Sequence, residues 1–180
     1  MSDNWEKVVN KITVLEREIA RLRLIERGRY GESIPIVSVY HNTSQSIANN
    51  SVQTLVFNSE HCDTDDMHDN TTNNSRLTCK QAGLYLISLQ VLFQANATGD
   101  RSITIVKNGT LTIGQQKAPA SSTRHGLELS RIIYMAVDDY VEGTAFQTSG
   151  AAKTIDSEDD YSPVFSMTYL GDIPSWSGRS

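Results

Sequence analysis

A chain of 180 residues, 38% of them hydrophobic, has room for one ordinary domain and a short appendage. Its 16 basic and 21 acidic side chains leave a net charge of −5, so nothing draws it generally to nucleic acid or anionic membrane. No apolar run approaches the roughly 20 residues of a membrane helix, and two cysteines are too few for a disulfide framework or, alone, a zinc site.

The N-terminus, Met1 to Glu6, has no basic segment leading into an apolar one, so synthesis without a signal peptide is expected. Residues 1–27 carry a net charge of +1 and residues 28–180 a net charge of −6. In the first segment Trp5, Val8, Ile12, Leu15, Ile19 and Leu22 are spaced alternately three and four apart, the a/d seam of a heptad helix. Lys11 and Glu18 then fall at g, and Glu16 and Arg23 at e. Across two copies Lys11 faces Glu16 and Glu18 faces Arg23, both pairs of opposite sign. A coiled-coil stalk over 1–27 is expected, with one amphipathic helix packed on the chain's own domain as the alternative. Three heptads are marginal by themselves, so a second association surface is needed. Gly28 and Gly31 are expected to break the helix and open a linker over 28–35.

From Pro35 the period changes to that of strands. Short strands are predicted at 36–41, 53–57, 76–79, 84–93, 102–107, 111–115, 127–135, 140–147 and 164–170. Asn108-Gly109 between two of them is a type I′ hairpin signal. The run Leu84 to Phe93 is so apolar that it reads as a strand buried on both faces. Many short strands with regular turns imply an all-β sandwich or barrel, and about 145 residues leave no room for a second head.

The segment Leu77-Thr78-Cys79-Lys80-Gln81-Ala82-Gly83-Leu84-Tyr85-Leu86 resembles the signature of the complement C1q globular head, with Gly83 and Tyr85 in register and Leu77 where the family has an aromatic. Val106-Lys107-Asn108-Gly109, then Leu127 to Val141, then Ser162 to Gly171 including Phe165, resemble later motifs of that family in the same order. Asp138-Asp139-Tyr140-Val141 stands where the family has Gly-Asp-x-Val, so the glycine is lost. The resemblance implies a jelly roll of about ten strands over 36–171, related to tumour necrosis factor, followed by a tail at 172–180. It also implies a homotrimer whose core motif is Leu77, Gly83, Tyr85 and Phe165. Lys11-Ile12-Thr13-Val14-Leu15-Glu16 is similar to the pattern of short trimeric coiled coils, in keeping with three strands. The segments Asp63 to Asn70 and Asn96 to Arg101, with the Phe165 to Gly171 ending, resemble C1q-type domains of bacteriophage structural proteins. No Gly-x-y repeat is present, unlike animal complement chains.

Candidate chemistry is sparse. Asp63, Asp65, Asp66 and Asp69 put four carboxylates in seven residues and could supply oxygen ligands for Ca²⁺. The run lacks the EF-hand glycine and terminal glutamate, and a solvated loop is the favoured reading; no other cofactor is implied. The acidic cluster at 156–160 reads as a second solvated loop. None of the four histidines (His41, His61, His68 and His125) has zinc-protease spacing, and no Gly-x-Ser-x-Gly elbow occurs. His61-Cys62 alone is not a metal site, and Cys62 and Cys79 are expected to be free thiols. Ser121, Ser122 and Asp100 suggest no hydrolase beyond chance proximity, so no catalytic residues are expected.

The function expected is that of a phage virion component: a trimeric stalk and knob in which the stalk meets other virion proteins and the knob meets a host surface glycan. Alternatives are a capsid or tail cementing protein with no receptor, and a bacterial carbohydrate-binding module.

Overall fold

The computed structural model describes residues 2–30, 34–158 and 161–172, with helix side chains described for Trp5 and residues 8–23. Part of the expected linker (31–33), nearly all of the expected tail (173–180), and Asp159 and Asp160 of the second acidic cluster lie outside these residues.

The chain opens with helix α1 (Ser2–Tyr30). It does not stop at Gly28, as the sequence suggests: its backbone runs on to Tyr30. One glycine costs a helix only about 1 kcal/mol relative to alanine, too little to end it by itself. The remainder is strand and loop. In chain order the strands are β1 (Ile36–Tyr40), β2 (Gln45–Ile47), β3 (Gln53–Thr54), β4 (Ser59–Asp63), β5 (Arg76–Thr78), β6 (Gly83–Phe93), β7 (Asp100–Lys107), β8 (Leu111–Pro119), β9 (His125–Met135), β10 (Tyr140–Gln147), β11 (Lys153–Ile155) and β12 (Val164–Gly171).

They form two antiparallel sheets. One has the order β2-β11-β6-β12-β1-β4, with β9 paired along the whole length of β6. The other has the order β3-β10-β7-β8, with β5 also on β10. Alternate residues of each sheet face the other. Val37 and Val39, Ile87 and Leu89, Phe165 and Met167 come from the first, and Ile103, Ile105, Val141 and Ala145 from the second; all are essentially fully buried. Phe57 stacks on Phe165 at a centroid separation of 5.6 Å, and Tyr85 meets Tyr169 edge to face at 5.4 Å.

Several expectations change. Twelve strands are present rather than about ten. β2, β4 and β11 carry too little apolar alternation to be read from sequence; β4, Ser-Glu-His-Cys-Asp, is a polar edge strand. Only Gln53–Thr54 of the predicted 53–57 strand pairs regularly. Leu55 and Phe57 are still buried, their amides bonding to the Gly143 and Asn74 carbonyls at 2.9 and 2.8 Å. β6 is not buried on both faces within the chain: Tyr85, Ile87, Leu89, Val91 and Phe93 point into the core, while Leu84, Leu86 and Leu92 point out and stay at least partly exposed.

The Asn108-Gly109 turn is type I′, with φ of 51° and 71° and the Thr110 amide donating to the Lys107 carbonyl at 3.2 Å. Asp138, where the resemblance has glycine, holds φ at 68°, a left-handed conformation that aspartate tolerates better than most residues. Gly83 is constrained by close packing. Its φ of 158° borders on extended backbone, and the requirement for glycine is steric. A Cβ there would sit 2.4 Å from Tyr169 Cε2 and 2.7 Å from the Gly171 carbonyl oxygen.

Candidate functional site

Register pairing sorts the solvent side of the seven-stranded sheet into rows. Ile132, Leu86, Thr168 and Ile36 lie side by side across β9, β6, β12 and β1. Beside them Leu84 pairs with Tyr134. One row further along, Ser130, Ser88, Ser166, Ser38 and Cys62 cross five of the seven strands, and Ser88 and Ser130 share a 2.9 Å hydroxyl bond. The apolar end holds Leu86, Ile132, Tyr134 and Leu170, which are 38%, 60%, 46% and 51% exposed. β1 begins at this end, just after exposed Ile34.

The heptad residues Trp5, Val8, Ile12, Leu15, Ile19 and Leu22 are all exposed, so the helix does not bury its apolar stripe on its own head. Glu18 approaches Arg21 of the same helix at 4.0 Å, an exposed pair of little energetic weight. Lys11, Glu16 and Arg23 lie on the same helix.

The four motif residues Leu77, Gly83, Tyr85 and Phe165 lie in the core. The Tyr85 hydroxyl donates to the Gln81 carbonyl at 2.7 Å, and the Cys79 thiol donates to the same oxygen at 3.0 Å. Burial pushes both groups up in pKa, so each stays protonated as a donor. Cys62 and Cys79 are both free.

The four aspartates sit in separate local settings. Asp63 accepts the amides of Asp65, Met67 and His68 at 3.2, 3.0 and 2.8 Å, so both its oxygens shape the loop. Asp69 accepts the Thr71 amide and hydroxyl and the Thr72 amide at 2.8 to 2.9 Å. Those bonds, the Thr72 amide foremost, hold its carboxyl down at about 2. Asp65 accepts from the Thr64 hydroxyl at 2.9 Å, and Asp66 is exposed. Among the described residues no group of three or more His, Cys, Asp or Glu is placed to hold a metal ion. The sequence shows acidic residues but not which backbone amides will occupy them; an Asp two or three residues before a turn is the only local signal.

The histidines have structural settings. The His68 side chain is wholly buried, with Nδ1 3.0 Å from Glu60 Oε1 and Nε2 3.2 Å from the Asn74 carbonyl, and it ties the 64–75 loop to β4. His61 stacks on Tyr40 at 4.5 Å, and its Nδ1 lies 3.3 Å from the Ser38 hydroxyl. Ser121 shares a 3.0 Å bond with the Thr123 hydroxyl, and Asp100 pairs with Lys117 at 2.8 Å, so these residues form no nucleophile–base arrangement.

Sequence reading missed two buried polar residues at one end of the sandwich. Arg101, 1% exposed, donates to the carbonyls of Thr98, Asp100 and Asn96 at 3.0 to 3.3 Å. Gln147 donates to the Ile47 and Ala151 carbonyls at 3.0 and 2.8 Å and accepts the Ser149 amide at 2.7 Å. Together they satisfy loop carbonyls that would otherwise be stranded above the core.

Two antiparallel sheets in this order, packed face to face, define a jelly roll of the C1q and tumour necrosis factor type. Among solved structures the chain is similar to murine APRIL, at a TM-score of 0.60 and 12% identity over 77% of this chain and 100% of that one. It is similar also to the globular domain of zebrafish complement 1qA protein, at a TM-score of 0.55 and 14% identity over 77% and 98%. Eiger TNF from S. frugiperda aligns at a TM-score of 0.58 and 8% identity over 82% and 99%. No protein-family model and no curated protein matches the sequence.

Proposed function

We propose that the chain is a bacteriophage virion protein that assembles as a homotrimer, its helices forming a short stalk and its jelly rolls a non-catalytic knob displayed for attachment to the host surface. One observation supports self-assembly most directly. The chain carries two apolar surfaces that it does not cover itself, the heptad stripe and the Leu86–Ile132–Tyr134 patch, and residues 31–35 join them. A second copy of the same chain offers the matching partner to each: stripe to stripe, and sheet face to sheet face. Each surface is small alone, and joined they reinforce one another through effective concentration. The phage setting rests on the resemblance of the Asp63 to Asn70, Asn96 to Arg101 and Phe165 to Gly171 segments to phage C1q-type domains.

The test has two parts. Sedimentation equilibrium of the full chain should give three copies of 20.0 kDa, about 60 kDa in all; a monomer or dimer overturns the trimer. Immunogold labelling of phage particles should place the protein at a tail tip or capsid vertex, and adsorption to host cells should fall when free knob is added. Labelling spread over the capsid lattice without competition would instead indicate a cementing protein.

A further inference from the structure

The solvent face of the five-stranded sheet carries two depressions in line. The first, about 570 Å³, is bounded by the 64–75 loop and the start of β10, and Asp66, Asn73, Thr78, Lys80, Asp138 and Tyr140 line it. The second, about 410 Å³, lies over Thr54, Thr104, Val106, Gln115, Glu142 and Thr144. Tyr140, Glu142 and Thr144 alternate onto one side of β10, so the two share one surface. Arg76 bridges them: its guanidinium lies 4.1 Å over the Tyr140 ring, and its Nε is 3.3 Å from Glu142 Oε1.

Several polar groups lining the first depression have no partner among the described residues. The carboxylates of Asp66 and Asp138, the ammonium of Lys80, the amide of Asn73 and the hydroxyls of Thr72 and Thr78 make no hydrogen bond to any described residue. In the second depression register pairing aligns Thr54, Thr144, Thr104 and Gln115 across four strands, which are spaced about 4.8 Å apart; Gln115 donates to the Thr104 hydroxyl at 3.3 Å and keeps its amide oxygen as an acceptor. A small anion is disfavoured by Asp66, Asp69 and Asp138 around the first depression, where Arg76 is already paired with Glu142. An apolar ligand finds little beyond Val52, Val106 and a ring already covered by Arg76. A peptide adding as a strand needs a sheet edge, and this is a face. A neutral, hydroxyl-rich ligand matches both kinds of free group, because each sugar hydroxyl donates to a carboxylate or accepts from an ammonium, amide or hydroxyl.

We infer that this face binds an uncharged saccharide chain of about three units, one end seated among Asp66, Asn73, Thr78 and Asp138 and the other laid along the threonine row. A ligand of that size suits the combined volume. The inference rests on the trimeric knob reading, in which the opposite sheet meets the other copies and this one faces outward three times over, so weak single sites act together.

The experiment is a heteronuclear NMR titration of the ¹⁵N-labelled, deuterated full chain with cellotriose, chitotriose, maltotriose and mannotriose, and with trigalacturonate as a charged comparison. At least one neutral trisaccharide should move the amides of Asn73, Thr78, Thr104, Gln115 and Tyr140 saturably, while trigalacturonate moves them far less. Asp66→Asn with Asp138→Asn, and separately Thr144→Lys, should each weaken that binding about tenfold, equivalent to about 1.4 kcal/mol, with the folded spectrum retained. The inference is overturned if none of the four neutral sugars shifts this face at about 10 mM, if shifts cluster on another surface, or if trigalacturonate binds as well. Sedimentation of the same sample separates the two readings. A trimer that binds no neutral sugar overturns the saccharide site alone, whereas a monomer that binds one leaves the site standing and overturns the trimer.

Discussion

Gly83 shows how one residue ties the sequence motif to the core. It opens β6 where β12 crosses closest, and any side chain would enter the Tyr169 ring and the Gly171 carbonyl. Gly83→Val should therefore push Tyr169 off Tyr85 and lower the melting temperature sharply; an unchanged melting temperature would show that the strands can separate there at no cost. Tyr85→Ala should cost about 3–5 kcal/mol by emptying a fully buried ring site, measurable by urea unfolding. Asp139 acts through charge. It takes the Lys107 ammonium at 2.6 Å, the Asn108 amide at 2.7 Å and the Ala136 backbone amide at 2.7 Å, pinning the β9–β10 turn to the β7–β8 hairpin. Burial alone would raise its pKa, but those bonds and the lysine's charge outweigh burial and hold it below the ordinary 3.8. A carboxyl depressed on folding stabilises the fold above its unfolded pKa, and that contribution is lost as pH falls through the folded value. The stability gap between wild type and Asp139→Asn should be steady above about pH 5 and shrink as the solution is acidified below the carboxylate range. A gap that widens in acid would contradict the assignment.

At the scale of elements, α1 shows where local pattern and environment part. Its heptad stripe makes a helix with one apolar side, yet that side stays exposed. Ile12→Asp with Ile19→Asp should place charges where a neighbouring stripe would desolvate them. Far-ultraviolet dichroism should then lose its helical component and keep its β signal, and trimer mass should fall or loosen. If helix and mass both survive, the stripe has no partner. Glu16→Lys should do much less, since exposed e/g pairs contribute under about 1 kcal/mol each. β6 is the companion case. Eight apolar residues among the ten from Leu84 to Phe93 predict burial on two sides, whereas the chain itself covers only the Tyr85, Ile87, Leu89, Val91, Phe93 side. The surplus apolarity is what another copy would bury.

For the whole molecule, the decisive feature is the outward patch of Leu86, Ile132 and Tyr134. In the proposed trimer, Ile132→Glu puts a carboxylate into the contact between heads, and the protein lacking residues 2–30 should then sediment as a monomer of unaltered β content, while the same truncation with Ile132 intact stays trimeric. Equal masses for the two would place the head contact elsewhere. The opposite sheet should tolerate Thr144→Lys with no change in mass, because its face remains in solvent in either state.

Much of this molecule was legible from residue order alone. Period-2 apolarity located the long strands, because a strand buried on one face must alternate, and β10 begins and ends where the alternation does. Asn108-Gly109 determined its own turn, since few other residues accept two consecutive positive φ values. The heptad spacing determined that α1 has one apolar side. Short polar strands such as β4 were invisible, because their stability comes from pairing with β1 and not from their own side chains. The acidic loop could not be read in detail, because a sequence displays carboxylates but not the amides of Asp65, Met67 and His68 that fold back onto Asp63. Only the tertiary structure could lay Thr54, Thr104, Gln115 and Thr144 in a single row. Thr104 and Gln115 share a local hairpin, but Thr54 and Thr144 join them from strands far away in sequence, through register that long-range pairing decides.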